Sequence, residues 1–383
     1  MKTWAGLLLS ALLVACATPP EPLPVASFFA DAQFAPPSEP IYPEAVFALS
    51  PAMQRYLDRE ITDKLRTRGR QQALIDALYS KGELRLEYDS AQTRNAAQAF
   101  DARSGNCLSL VIMTAAFAKG LGLAVQYQSL YTDETLARSG DIHFIVDHIN
   151  LSLGRRLSDF VGTVRYPEVL TVDFLPPKDT SKQRVRQLSE RTVLAMYMNN
   201  RAAEALARGR LNDAYWWARE AIVQDAAFTR AYNTLGVVYR RHGNLPEAER
   251  ALAYALAREP KNPQILSNLV QLLADQGRVA EAGALRQRLA HLETEPPFFF
   301  YERGQAAMRG GDYAVARDLF AREVARAPYY HEFHYALALA HAKLGDAAQA
   351  RKHLALAMES STTRGDHDLY AAKLDRIGAV QSH

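Results

Sequence analysis

Residues 231–260 read AYNTLGVVYRRHGNLPEAERALAYALAREP. Apolar and small residues recur every three to four positions on both sides of Gly243, the pattern of two amphipathic helices joined at a glycine turn. The unit is repeated. Gly209, Gly243, Gly277, Gly311 and Gly345 stand 34 residues apart, and so do Ala214, Ala248, Ala282, Ala316 and Ala350. Two registers held through five copies predict an array of stacked helix pairs. The glycine turns the chain between paired helices, the small residues let them approach, and a proline such as Pro260 ends the second helix.

Leu235, Gly236, Tyr239, Gly243, Ala248, Ala255 and Pro260 resemble the pattern of a tetratricopeptide repeat. In that register five units fill residues 195–364, starting near Ala195, Thr229, Pro263, Pro297 and His331. The first, third and fourth are degenerate, with Arg201 and Arg303 at a usual leucine position. Residues 365–383 read as a capping helix with Leu369, Leu374 and Ile377 on one face, which would hide the last apolar surface of the solenoid. The resemblance implies a protein or peptide partner on the concave face. Asn199, Asn233, Tyr301 and Tyr335 share the fifth position, which tends to face that groove, with Phe298 and Arg240 as neighbours. Packing or solvation is the competing role for each. His331 and His334 lie three apart on a helix and could ligate a metal, but a packing or surface role is the stronger expectation. No metal and no cofactor is expected.

A second pattern lies upstream, in RSGNCLSLVIMTAAFAKGLGL, residues 103–123. Gly105 and Asn106 make a turn. The run from Cys107 to Lys119 is almost entirely apolar or small, and KGLG stops it with Gly120 as C-cap. A helix apolar on every face is a buried central helix. Cys107 falls in its first turn, where the helix dipole and free backbone N–H groups favour a thiolate and could hold an oxyanion. The bland alternative is a buried cysteine acting as a small hydrophobe. Strand-like alternation follows around His148, Asn150 and Ser152, and LTVDFLP, residues 170–176, is a further short strand.

GNCLSL at 105–110, HINL at 148–151 and TVDF at 171–174 resemble the three motifs of the transglutaminase-like cysteine-protease superfamily. The resemblance covers about residues 75–185. It implies an α+β domain over residues 46–185, with Cys107 as nucleophile, His148 as general base and Asp173 as the residue orienting the imidazole. His143 has the opposite strand parity to His148. A metal site of His143, Asp147 and His148 would lack a convincing further ligand. The flanks fit: ELRLEYD at 83–89 alternates like a strand, RNAAQAFDARSGNC resembles the family's helical lead-in with Phe100 as core anchor, and Met53, Tyr56, Leu57 and Ile61 have helical spacing. The chain departs from the family in having no tryptophan near the cysteine. Gln126 and Gln128 are candidate side-chain donors to an oxyanion.

Residues 1–15 read as a signal peptide with Lys2 and the apolar core LLLSALLVA. LVAC, ending in Cys16, resembles a bacterial lipoprotein processing box, which implies lipidation of Cys16 and a membrane anchor. Ala17 in place of an aspartate favours the outer membrane, facing the periplasm. Residues 16–45, with ATPPEPLP and APPSEPIYP, are expected to be a proline-rich linker holding the folded part away from the lipid. With Cys16 lipidated, Cys107 is the only thiol of the mature chain.

Of the 383 residues 48% are hydrophobic and 23% charged, a soluble globular composition long enough for two domains. A net charge of +3 is too weak to argue for nucleic acid. Two function classes follow. One is an envelope-anchored cysteine hydrolase that cleaves a peptide or amide through a thioester, or transfers the acyl group to an amine, with the repeats recruiting its substrate. The other is a non-catalytic repeat scaffold assembling an envelope complex. The join FLPPKDTSKQRVRQLSERTVL leaves no room for a long flexible linker, so the two halves should be held in a fixed relation, with bulky Met196, Met198, Trp216 and Trp217 at the interface.

Overall fold

The computed structural model describes residues 24–62, 69–79, 86–89, 92–139, 142–154, 170–172, 174, 185–292, 295, 298–328, 330–361 and 363–380. Cys16 and Asp173 lie outside these residues, and of His148 only the backbone is described.

The N-terminal half is built around one buried helix. α1 (Pro51–Tyr56) is capped by the Ser50 hydroxyl and continues into a π turn, Leu57–Ile61. α2 (Arg70–Tyr79), β1 (Glu87–Tyr88), α3 (Ala96–Ala102) and β2 (Ser104–Gly105) follow, β1 pairing parallel with β2. α3 opens with a capping box between Asn95 and Gln98, and Arg103 ends it with φ 52°. α4 (Cys107–Gly120) comes next, and every residue from Cys107 to Ala118 is buried. Gly120 is the last helical residue, not the cap. A Cβ there would lie 2.8 Å from Leu57 and 2.9 Å from Leu49, so close approach requires it, and the left-handed residue is Gly122, with φ 71°.

α4 lies against β3 (Ala124–Ser139) and β4 (Ile142–Gly154). With β5 (Leu170–Val172) and β6 (Val185–Leu188) these form an antiparallel sheet of order β5-β4-β3-β6. Phe100 packs edge-on to Phe117 of α4 and to Tyr56, as its anchor role requires.

β6 passes directly into α5 (Glu190–Ala207) through Ser189, whose hydroxyl caps the helix. The solenoid then runs α6 (Leu211–Gln224), α7 (Thr229–His242), α8 (Leu245–Arg258), α9 (Pro263–Asp275), α10 (Val279–Leu292), α11 (Phe299–Gly310), α12 (Tyr313–Arg326), α13 (His331–Lys343), α14 (Ala347–Glu359) and the cap α15 (Arg364–Val380). Gly209, Gly243, Gly277, Gly311 and Gly345 all have φ between 73° and 93°. A Cβ at each would meet nothing within 4 Å, so backbone conformation rather than crowding selects glycine. At Gly236 and Gly304 the reason is the opposite: a Cβ would stand 2.5 Å from Leu252 and from Phe320. The five register alanines are fully buried.

Two expectations are corrected here. Leu369 of the cap is exposed, and Tyr370 is the buried anchor, because the helix turns its apolar face one residue further round. Residues 24–45 are not an extended linker. They form a strap of 3₁₀ turns (Val25–Phe28, Asp31–Gln33, Pro43–Ala45) docked on α6, α7 and α8. Phe28 is buried against Tyr232 and Tyr254, and Phe34 stacks on Tyr215. Polar contacts fix the path: Tyr239 Oη donates to Phe28 O, Trp216 Nε1 to Ala35 O, and Ser38 donates twice to Asp213. Proline content does not show the five aromatic rings on the repeats that make a bed for these turns.

The strap, the α4 domain and the first three repeats share one hydrophobic core. Met196, Met198 and Trp217 are buried in it, whereas Trp216 serves the strap. A second, separate core joins α12 and α13 around Phe320 and Leu337.

Candidate functional site

The start of α4 is organised by its cap. Asn106 Oδ1 accepts from the backbone N–H of Ser109 (2.9 Å) and from its hydroxyl (2.8 Å). Because an N–H can only donate, this fixes the amide orientation, and Asn106 Nδ2 donates to Thr93 Oγ1 at 2.9 Å. Ser109 Oγ in turn accepts from Arg94 N at 2.8 Å. Thr93, Asn106 and Ser109 are all buried.

Cys107 is itself buried, 2% exposed. β4 carries His148, paired in register with Leu130, and β5 ends at Val172, one residue before Asp173. Gln128 donates to Ser152 Oγ at 3.1 Å, and Gln126 is exposed.

The Thr93 end of the network is closed by the solenoid. Glu204 on α5 accepts from Thr93 N at 2.6 Å. Burial pushes its carboxyl above the ordinary range, against the lowering effect of its hydrogen bonds with Thr93 and of Arg201 and Arg208. Arg201, the degenerate leucine position, is buried with its guanidinium 2.6 Å from Glu39 of the strap, 3.9 Å from Glu204, and over the Trp217 ring.

The proposed groove residues divide. Asn233 accepts from Asn268 Nδ2 (2.8 Å), and Arg240 pairs with Asp275 (3.0 Å), so α7 and α9 are laced by polar contacts. Asn199 is half-buried, and its Oδ1 has no hydrogen-bond partner among the described residues. Phe298 is not a groove residue: α11 begins at Phe299, and Phe298 precedes it in the left-handed region, buried among Tyr301, Tyr330 and Phe333. Tyr301 leans on Phe320 and Phe333, and Tyr335 on Tyr370 of the cap.

His331 and His334 are both buried and serve different partners. His331 Nδ1 bonds Tyr370 Oη at 2.7 Å. His334 Nε2 donates to Pro328 O at 2.8 Å, so its Nδ1 accepts from His353 Nδ1 at 3.0 Å. His341 also stacks on His353. Among the described residues no three metal-ligating side chains converge, and no helix is long and apolar enough to cross a membrane.

The tetratricopeptide-repeat family model matches residues 233–293 and 301–362. The C-terminal half is therefore an all-helical solenoid of tetratricopeptide repeats. Similar solved structures include Pseudomonas aeruginosa PilF, at 19% identity and a TM-score of 0.29, covering 51% of this chain and 88% of that one. YrrB, a tetratricopeptide-repeat protein with an unusual peptide-binding site, has 21% identity and a TM-score of 0.25, covering 47% and 92%. Yeast Tom70 has 13% identity and a TM-score of 0.34, covering 49% and 40%. No curated protein matches the chain.

Proposed function

We propose that the chain is an interaction scaffold whose solenoid holds a protein or peptide partner. The observation that carries this is the repeat array itself, with half-buried Asn199, Asn233 and Arg240 on its first helices, Arg240 paired with exposed Asp275. Tetratricopeptide repeats commonly bind proteins or peptides, and polar side chains held by neighbours recognise an extended chain at low entropic cost. The experiment is site-specific photo-crosslinking from Asn233 and Arg240, with exposed Arg250 on α8 as control. One partner captured from both first-helix positions, not from Arg250, and lost in Arg240→Glu supports the reading. Equal capture from all three positions ends it.

A second reading is favoured by one observation. Cys107 is the first residue of a buried helix lying against the strand that bears His148. We propose that this domain acts as a transglutaminase-like cysteine hydrolase or acyltransferase, with Cys107, His148 and Asp173 in the roles given above, anchored through lipidated Cys16 at the outer membrane. The burial of Cys107 favours a packing role instead. An acyl-type thiol probe decides between them: labelling at Cys107 that disappears in His148→Ala supports catalysis, and labelling indifferent to His148 removes it.

A further inference from the structure

The solenoid reaches into the capping network of the cysteine helix through one side chain. We infer that Glu204, on the first repeat, is a positioning residue for the start of α4, acting on Cys107 through Thr93 and Asn106. The reading of Cys107 as a nucleophile gives this its functional meaning. The structural link stands without it.

The chain of hydrogen bonds has a direction. Arg94 N–H donates to Ser109 Oγ, and the Ser109 N–H and hydroxyl donate to Asn106 Oδ1. Asn106 Nδ2 donates to Thr93 Oγ1, and Thr93 N–H donates to Glu204. The carboxylate is the charged terminus toward which the last two links point. Polarised links of this kind strengthen one another in a dry interior. Thr93 and Glu204 are 111 residues apart in sequence, so this acceptor comes from the repeats and not from the cysteine domain's own neighbourhood in sequence.

The groups facing Glu204 come from three elements. Arg201 on α5 and Arg208 at its C-cap each stand 3.9 Å from the buried second oxygen of the carboxylate. The strap contributes Glu39, which draws the Arg201 guanidinium to 2.6 Å and so divides its charge. The loop before α3 contributes Thr93, whose backbone N–H donates to the carboxylate at 2.6 Å. With its attractive charges distant or shared, the buried carboxylate takes up a proton more readily than an ordinary glutamate. Protonation weakens the acceptor at the end of the chain. The cap that aims the first turn of α4 therefore depends on the charge of a residue belonging to the repeats.

The test uses the full chain as wild type, Glu204→Gln and Glu204→Ala. Alkylation of Cys107 by iodoacetamide is followed by mass spectrometry from acid to neutral pH, alongside amide hydrogen exchange of peptides covering residues 93–110. In the wild type, the alkylation profile should carry an inflection on the acid side besides that of the thiol. Glu204→Gln should lose this inflection while remaining folded. Glu204→Ala should lose about tenfold of the exchange protection over 93–110, the scale of one charge-assisted hydrogen bond. Wild-type alkylation profiles in both variants overturn the proposal, even if exchange changes, because the contact is then structural only. Neither readout needs turnover, so a Cys107 that hydrolyses nothing defeats the catalytic reading and leaves this one standing.

Discussion

Phe34 lies flat on Tyr215, with ring planes 2° apart and centroids 3.9 Å apart. Tyr239 and His242 close the pocket around the same phenyl ring. The contact joins a proline-rich N-terminal segment to the first two repeats, and it makes the strap part of the folded core.

Phe34→Ala should release the strap before it unfolds the solenoid. Burial of a phenylalanine contributes about 3–5 kcal/mol, more than a short segment held by one remaining buried ring, Phe28, can spare. Limited proteolysis should open cleavage within 24–45 while far-UV circular dichroism holds. Unchanged protease resistance would show that the polar contacts suffice.

Gly243→Ala and Gly236→Ala should both destabilise, for different reasons. At Gly243 the cost is backbone strain at φ 93°, about 1–2 kcal/mol. At Gly236 it is overpacking against Leu252, about 1–3 kcal/mol. Urea unfolding measures both. Leu252→Ala should cost less in the Gly236→Ala background than in the wild type, and as much as in the wild type in the Gly243→Ala background.

The last repeat should weaken in acid. Burial, reinforced by the positive charge of His334, His341 and Lys352, lowers His353 to about 4, and burial lowers His334 and His331 as well. The unfolded chain binds protons near the ordinary histidine value of about 6.5, whereas the folded one resists them. Stability is therefore fully present above about 6.5 and falls as pH drops toward the His353 value of about 4. Hydrogen exchange of α13 to α15 across this range should show the loss, with a shallower slope in His353→Gln. Equal slopes in the two proteins would assign the sensitivity elsewhere.

Mass spectrometry of the processed protein should find acyl chains on an N-terminal Cys16. An unmodified N-terminus at another position would remove both the anchor and the outer-membrane placement.

The repeats were legible because their signals are local. A left-handed glycine and a buried alanine recur at fixed spacing, and each does its work within one helix pair. The helix start at Cys107 was legible for the same reason, since Asn106 caps the residue three positions on. Phe298 was misplaced because an ideal register puts it inside a helix that begins one residue later. The strap is not legible in the sequence, because proline speaks to backbone conformation and says nothing of a distant aromatic bed. The one available signal was the cluster Phe28, Phe29 and Phe34 in a segment read as linker. Glu204 carried no signal, because its partner depends on how the two halves meet.

The strap also sets an order of events during synthesis. Ala30 and Tyr215 are 185 residues apart, and Phe28 and Tyr239 are 211. Translation delivers the strap well before its bed. At about 5–20 residues per second, Phe28 and Phe34 stay uncovered for on the order of 10–40 s while α1 to α7 are made. Docking the strap is then a late event that closes a very long loop, a step made slow by its sequence separation. Until it happens the nascent chain carries exposed aromatic rings, and any factor that binds such rings has its opportunity there.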